Sequence, residues 1–152
     1  MINQFRDNYF FLSNFFPAAM VYDGIQYENA EAAFQAQKCQ SRNDRLQFSK
    51  LNPSEAKRLG RRVGLRPDWE NIKVDVMREV VKAKFCGNRT LTEKLLATSG
   101  EYLEEGNTWG DRTWGTVNGQ GSNFLGQILM DLRTELEKDC SNHNVNSNNV
   151  KG

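Results

Sequence analysis

Residues 29–39 read Asn-Ala-Glu-Ala-Ala-Phe-Gln-Ala-Gln-Lys-Cys, and this pattern predicts a helix over Ala30–Cys39. The first residue of the stretch is a favoured N-cap, because an asparagine side chain can accept a hydrogen bond from the first helical turn. Helical residues advance by about 100°, so Glu31, Gln35 and Lys38 fall on one polar stripe. The stripe leaves room for a small ligand between a carboxylate and an amine. The same spacing is also typical of a solvated helix face.

A hairpin precedes this helix, and further helices follow it. Met20–Tyr22 and Ile25–Tyr27 flank Asp23-Gly24, a pair that favours a tight turn between two strands. Tyr102–Leu103 is expected to form a short strand. Caps and apolar residues at spacings of three and four predict later helices at residues 53–63, 69–85, 90–98 and 123–138. The sequence therefore predicts an α+β fold, with one compact, mainly helical domain and a small antiparallel sheet.

The chain of 152 residues has the length of one domain. We expect that domain to cover residues 1–139, and the Asn-rich segment 140–152 to be a disordered tail. The sequence lacks the roughly 20 consecutive apolar residues of a membrane span. Its three cysteines form no CxxC pair, which favours a reducing, cytoplasmic setting. We also expect the protein to be a monomer. The formal net charge of +1 argues against a protein that holds DNA mainly through phosphate contacts.

The single histidine limits the chemistry that the chain can perform. It is His143, and it lies in the predicted tail. A histidine general base, a Ser-His-Asp triad and a histidine-ligated metal are therefore excluded. We expect neither a metal nor a cofactor, so a reaction must use carboxylates, lysines, amides, hydroxyls or aromatic rings.

The glycine-rich segment Glu104–Ser122 is expected to be a long loop, and loops of this length are often functional. Trp109 and Trp114 offer flat faces for stacking on a base or a sugar, and Gly115 allows the backbone to approach a ligand closely. Asp111 lies between the two tryptophans and is a candidate general acid. The alternative is that the tryptophans fill the core beneath the loop and that Asp111 is a turn residue.

Further candidate ligand contacts lie near the N-terminus and before the last helix. Arg6 can clamp a phosphate, Asn14 suits ribose hydroxyls, and Phe15 can form the wall of a base pocket. Asn123 stands at the start of the last helix, where backbone N–H groups attract anions. A plain loop-to-helix turn is the alternative there. The basic residues within 57–62 fit either a contact with nucleic acid or a solvated face.

Short stretches spread along the chain form an ordered set: Phe11–Phe15, Asp23–Tyr27, Glu31–Lys38, Arg66–Trp69, Met77, Lys84-Phe85, Asn88, Trp109–Asp111, Trp114-Gly115, Gly121–Gly126, Leu129-Met130 and Arg133. In this order they resemble the NADAR family, also called YbiA-like. The resemblance covers about residues 5–137.

The resemblance implies a compact α+β fold and an enzyme that handles ribosylated bases and ADP-ribose. Two activities are associated with the family. One is hydrolysis of the N-glycosidic bond in phosphorylated riboflavin-pathway intermediates, and the other is removal of ADP-ribose from guanine bases in nucleic acid. Both reactions break a bond between ribose C1 and a nitrogen. The family pattern implies a pocket that contains Glu31, Lys38, Trp109 and Asp111, with ligand contacts from Arg6 and Asn14.

The chain is thus expected to be an N-glycosidase, a hydrolase whose catalytic residues are Glu31, Lys38 and Asp111. A carboxylate beneath the sugar stabilises oxocarbenium charge, and an acid near the base neutralises the leaving group. Lys38 either attacks C1 as a neutral amine and forms an imine, or stays charged and binds a phosphate or a ribose oxygen. The expected ligand-binding residues are Arg6, Asn14, Phe15, Gln35, Trp109, Trp114, Gly115 and Asn123.

The chain departs from the family pattern at Ala32-Ala33, where many riboflavin-type relatives carry a histidine or tyrosine. Smaller side chains there would open the pocket, which favours the bulkier substrate, an ADP-ribosylated guanine base in a nucleic acid such as DNA. The alternative substrate is a phosphorylated riboflavin-biosynthesis intermediate. Two non-enzymatic alternatives are a module that binds ADP-ribose or an NAD-derived ligand and a structural or interaction domain.

Overall fold

The computed structural model describes the backbone of residues 1–150 and the side chains of residues 1–140. Its elements in chain order are a 3-10 helix at Asp7–Leu12, strands β1 (Pro17–Tyr22) and β2 (Ile25–Asn29), and helices α1 (Ala30–Ala36), α2 (Arg42–Leu46), α3 (Pro53–Gly60), α4 (Trp69–Cys86), α5 (Arg89–Leu96) and α6 (Phe124–Val150). The predicted α+β architecture is confirmed.

The two strands pair antiparallel in a hairpin, as the sequence predicts. Its turn places Asp23 at φ 49° and Gly24 at φ 78°, a left-handed pair that suits a tight hairpin turn. Asn29 ends β2 and also caps α1, since its side-chain oxygen accepts a hydrogen bond of 2.7 Å from the backbone of Ala32. The hairpin therefore sets the direction in which α1 enters the core.

Helix α1 lies at the centre of the fold, and all of its residues are buried. It packs against β2 and against helices α3 and α4, and the apolar sides of α4 and α6 complete one continuous core. At the contact with α3, a Cβ on Gly60 would lie 2.0 Å from Oε1 of Gln35, so the glycine allows the two helices to meet. The polar groups of α1 are thus held between packed elements.

The observed helices differ from the predicted ones at several places. Helix α1 ends at Ala36, because the side-chain amide of Gln37 donates to the carbonyl oxygen of Ala33. The backbone N–H of Lys38 then donates to the carbonyl oxygen of Gln35, three residues earlier, which is the spacing of a 3-10 turn. Helix α3 ends at Gly60 instead of near residue 63. The short helix α2, capped by the side chain of a serine, was not predicted.

The last helix, α6, runs past its predicted end at Lys138 to Val150. The side chains of residues 141–152, which include His143, lie outside the described part of the chain. The predicted boundary between a domain at 1–139 and a tail at 140–152 therefore stays a prediction. None of the helices in the described part is long and apolar enough to cross a membrane. The cytoplasmic setting and the monomeric state stay predictions.

The segment Glu104–Ser122 is a loop, as predicted, and it is held by isolated backbone bridges at Gly106–Thr116 and Val117–Gln120. Instead of the expected short strand, Leu103 forms a single bridge to Ile2. The loop crosses beside α1 and α3, and this arrangement opens a cleft between them.

Candidate active site

The cleft has two adjoining lobes of about 460 Å³ and 370 Å³, which we call the inner lobe and the outer lobe. Both volumes fall in the range of small-molecule sites. The two lobes share a wall formed by Phe34, Gln35, Lys57, Trp109, Asp111 and Trp114. Beyond this wall, the polar residues that line the inner lobe include Arg6, Asn14, Glu31 and Glu105. The charged residues that line the outer lobe include Lys38, Arg61 and Lys73.

Glu31 is the buried carboxyl group that α1 contributes to the inner lobe. It is 8% exposed, and its Oε1 accepts a 2.9 Å hydrogen bond from the amide of Gln35 one helical turn later. Burial raises the pKa of Glu31, while the hydrogen bond from Gln35 and the charges of Lys57 and Lys38 lower it. A carboxyl group in this setting can stabilise positive charge that develops on a bound sugar.

Glu105 contributes a second carboxyl group to the inner lobe, and no motif in the sequence indicates that it is a site residue. Its Oε2 has no hydrogen-bond partner within the described residues. Burial, together with the charges of Asp111 and Glu31, raises the pKa of Glu105 to about 8. The inner lobe therefore contains two carboxyl groups whose surroundings differ.

Lys38 lies in the outer lobe, across the shared wall from Glu31. Because α1 ends at Ala36, the side chain of Lys38 does not follow the helical stripe; its Nζ instead donates to the carbonyl oxygen of Gly60 at 3.2 Å. The side chain is half-buried, and this burial lowers the pKa of Lys38, whereas the charge of Glu31 raises it. The amine and the carboxylate thus belong to one cleft but to different lobes.

Lys57 joins the two sides of the cleft, and it was likewise not selected from the sequence. Its Nζ lies 5.8 Å from the centre of the Phe15 ring and 5.8 Å from the centre of the Trp109 ring. Both distances are within the range of cation–π attraction. The lysine stands in a basic run that is typical of a solvated helix face, so sequence gave no signal that it faces a cavity.

The two tryptophans of the loop have different environments. Trp109 is 55% exposed at the shared wall, where its ring is available to a ligand. Trp114 packs in the core, with its ring centre 5.3 Å from that of Phe34 and 6.2 Å from that of Phe124. The ring of Trp109 therefore fits the interpretation of a stacking surface. Trp114 fits the alternative interpretation of a core residue, although it also lines the cleft wall.

Asp111 lines both lobes and also organises the loop. Its Oδ1 accepts backbone hydrogen bonds from Thr113 at 3.0 Å and Trp114 at 2.9 Å. The side-chain amide of Asn107 donates to the carbonyl oxygen of Asp111 and accepts a hydrogen bond from the backbone N–H of Asp111. One carboxylate oxygen of Asp111 is therefore committed to a turn, as the alternative interpretation of this residue expects.

Arg6, Asn14 and Phe15 all line the inner lobe. The segment that carries Asn14 is fixed from below by Lys84, whose Nζ donates to the carbonyl oxygens of Phe11 at 2.7 Å and Ser13 at 2.8 Å. Burial lowers the pKa of Lys84 to about 7. This lysine is a structural anchor of the cleft wall.

Gly115 and Asn123 differ from the other expected ligand contacts, because within residues 1–140 they line neither lobe. A Cβ on Gly115 would lie 2.0 Å from the carbonyl oxygen of Glu105, so this glycine permits a close contact between two loop strands. Asn123 accepts a hydrogen bond from the backbone N–H of Glu105 at 3.0 Å and donates to the carbonyl oxygen of Leu103 at 2.9 Å. Both residues hold the loop in place behind the cleft.

Comparison with known proteins gives consistent matches over nearly the whole domain. A family model described as the NADAR domain matches residues 2–137. The N-glycosidase YbiA of Shigella flexneri is 39% identical over 134 residues, which are 86% of this chain and 83% of that protein. A riboflavin biosynthesis protein of Vibrio vulnificus is 38% identical over 138 residues, which are 87% of this chain. The chain spans only 37% of the Vibrio protein.

The fold matches as well. The NMR structure of the Escherichia coli protein YbiA superposes with a TM-score of 0.79 at 36% sequence identity, covering 91% of this chain and 88% of that one. A cleft with one buried and one half-buried carboxylic residue and an adjoining group of cations, in a chain whose relatives are named N-glycosidases, defines a hydrolase of N-glycosyl bonds. The chain belongs to the NADAR family. At this level the activity predicted from the sequence is confirmed.

Proposed function

We propose that the chain hydrolyses the bond between ribose C1 and a base nitrogen in a phosphorylated ribosyl compound that spans both lobes. The observation that carries the proposal is the buried carboxyl group of Glu31 in the inner lobe, next to an outer lobe lined by Lys38, Arg61 and Lys73. A ribose placed over Glu31 extends its phosphate toward Lys38 and Arg61. The exposed ring of Trp109 lies at the wall between them and offers a stacking face for a base.

The reaction needs a negative charge close to the sugar. As the C1–N bond breaks, positive charge develops on C1 and the ring oxygen, and a fixed carboxylate in a water-poor site stabilises it strongly. Glu31 is suited to this role because Gln35 holds its carboxyl group in one orientation. Arg6, Asn14 and Phe15 are proposed as contacts to the ligand in the same lobe.

Lys38 has two possible roles, and the geometry favours binding. Its Nζ donates to the carbonyl oxygen of Gly60 in the outer lobe, where it adds to the charge of Arg61 and suits a phosphate. The lowered pKa of Lys38 leaves the alternative of nucleophilic attack on C1, which forms an imine. Borohydride reduction during turnover separates the two: a stable adduct on Lys38 supports the imine, and turnover without an adduct supports the binding role.

Two substrates fit this chemistry. The sequence preference for ADP-ribosylated guanine depended on Ala32 and Ala33 opening the pocket. Both side chains are fully buried in the core, so they do not enlarge the cleft. The name of the Vibrio relative supports a phosphorylated riboflavin-biosynthesis intermediate instead, which we take as the first candidate. ADP-ribosyl-guanine is the second candidate substrate. The two-lobed cleft supports it, because a longer ligand can extend through both lobes.

One side-by-side assay tests the proposal and ranks the candidates. The protein is offered a ribosylaminopyrimidine phosphate and an ADP-ribosylated guanosine oligonucleotide, and base release from each is measured as kcat/KM. Faster release from the aminopyrimidine supports the first candidate, and faster release from the oligonucleotide supports the second. Tight binding of ADP-ribose in a calorimeter, with no base released from either compound, would instead identify a ligand-binding module.

A further inference from the structure

We infer that Glu105 is the acid that donates a proton to the departing base, a role for which the sequence pattern selects Asp111. The inference rests on the proposed function and adds a catalytic residue to it. Glu105 and Glu31 both line the inner lobe, so the two carboxyl groups face the same bound sugar and base.

The backbone of Glu105 is fixed on both sides. Its N–H donates to Oδ1 of Asn123 at 3.0 Å, and its carbonyl oxygen accepts from the N–H of Thr116 at 2.9 Å. Gly115 packs directly against the same carbonyl oxygen. The backbone of Glu105 is therefore held at the edge of the cavity, which is a first requirement of positioned proton transfer.

The carboxyl group of Glu105 is free, whereas that of Asp111 is engaged. Oδ1 of Asp111 accepts two backbone hydrogen bonds that shape the loop. Oε2 of Glu105 is buried and lacks a hydrogen-bond partner among the described side chains and backbone. An unpartnered buried polar atom is costly, and a ligand atom that pairs with it in the complex removes that cost.

The two glutamates of the inner lobe differ in hydrogen bonding. Burial raises the pKa of Glu31, but the hydrogen bond from Gln35 and the charges of Lys57 and Lys38 oppose that rise. Burial, together with the charges of Asp111 and Glu31, raises the pKa of Glu105 to about 8 against the charge of Lys57, and no hydrogen bond within the described residues stabilises the ionised form through its Oε2. Two carboxyl groups with environments that separate their proton affinities are the arrangement of an acid and a stabilising carboxylate.

The step balances without a further reactant besides water. The electron pair of the C1–N bond goes to the base nitrogen, which takes the proton of Glu105. The oxygen of a water molecule bonds to C1, and the proton that it loses passes to the carboxylate of Glu31. Exchange with solvent then returns a proton to Glu105 and removes one from Glu31, which restores the starting state.

The test is the pH profile of kcat/KM for Glu105→Gln, using whichever of the two substrates the parent protein cleaves faster. The parent rate is expected to fall as the pH rises through about 8, because Glu105 then loses the proton that it donates. Glu105→Gln keeps the shape of the side chain but has no acidic proton. We expect the kcat/KM of this variant to be at least about 100-fold lower than that of the parent, and to show no fall near this pH.

Two further variants make the result specific. Glu104→Gln alters the neighbouring glutamate, whose carboxylate bonds to the hydroxyl of Thr116, and should retain the parent profile. Glu105→Asp shortens the acid and should lower the rate while keeping the alkaline fall. Circular dichroism and calorimetric binding of ribose 5-phosphate check that each variant folds and binds.

The outcomes separate this inference from the function on which it rests. If the parent protein releases no base from either substrate, the proposed function is wrong and Glu105 has no proton-donor role. If the parent is active and Glu105→Gln loses less than about fivefold or retains the fall near pH 8, the inference alone is overturned. Asp111→Asn alone should move the fall to lower pH, because the charge of Asp111 raises the pKa of Glu105. A fall near pH 8 that Glu105→Gln retains and Asp111→Asn abolishes would return the acid role to Asp111.

Discussion

The inner and outer lobes of the cleft share a wall but differ in burial and charge. The inner lobe has the buried carboxyl group of Glu31, which the hydrogen bond from Gln35 holds in place. The outer lobe has cations with long side chains, and Arg61 among them is exposed. Electrostatic interactions are strong where water is excluded and weak where it is not. The difference suggests that chemistry is concentrated in the inner lobe and that the outer lobe contributes binding.

The largest effect is expected from Glu31→Gln in the inner lobe. The substitution keeps the size of the side chain but removes the charge that stabilises the sugar cation, so kcat should fall by about 1,000-fold with little change in KM. The measurement is steady-state base release by the variant and by the parent. Glu28→Gln, on the exposed side of β2, is the matched control and should retain full activity. A loss that appears mainly in KM would show that Glu31 binds the substrate instead.

The next effect is expected from Gly115→Ala, behind the wall of the inner lobe. An added Cβ would lie 2.0 Å from the carbonyl oxygen of Glu105, a backbone atom that cannot swing away. We expect the free energy of unfolding to fall by about 3 kcal/mol, measured by urea denaturation. Gly64→Ala is the control, because a Cβ at that position meets no atom within 4 Å. If stability is unchanged and ligand binding is weakened, Gly115 contacts the ligand, as the sequence predicts.

Much of the fold can be predicted from the sequence because its signals are local. Asp23-Gly24 forms the predicted hairpin turn, and Asn52 with Glu55 forms the capping box that begins α3. These motifs depend on a few adjacent residues and on backbone geometry that each residue type prefers. Helix ends are harder, because a single competing side-chain bond, from Gln37 in α1, moves the boundary and redirects Lys38.

The site is predictable only where the chemistry and the local element coincide. Glu31 is correctly placed on α1 because the cap at Asn29 and the helical pattern are local, whereas its burial follows from packing of α1 against α3 and α4. Lys57 and Glu105 could not be selected, since their importance depends on packing against distant segments: Lys57 lies between Phe15 and Trp109, and Glu105 is fixed by Asn123. In the sequence the first is one of several basic residues and the second is one of two adjacent glutamates.

A smaller effect is expected from Trp109→Ala at the shared wall. The ring is exposed, and Nζ of Lys57 lies 5.8 Å from its centre, so its removal should leave folding intact and cost the substrate one stacking surface. Stacking of a base on an aromatic ring contributes about 1–3 kcal/mol, which corresponds to a rise in KM of about 5-fold to 150-fold. Trp109→Phe, which retains a stacking face, should recover most of the affinity. Equal KM values for Trp109→Ala and the parent would place the base elsewhere.

The smallest effect is expected from Arg61→Gln in the outer lobe. Because the guanidinium is exposed, its attraction for a phosphate is screened by water and salt, and we expect KM to rise about threefold with kcat unchanged. The difference between variant and parent should shrink when the assay is repeated in high salt. Arg62→Gln, next in the chain but outside the cleft lining, should behave as the parent. A fall in kcat comparable to that of Glu31→Gln would contradict the division of labour between the lobes, because an exposed cation would then act on the transition state as strongly as the buried carboxylate.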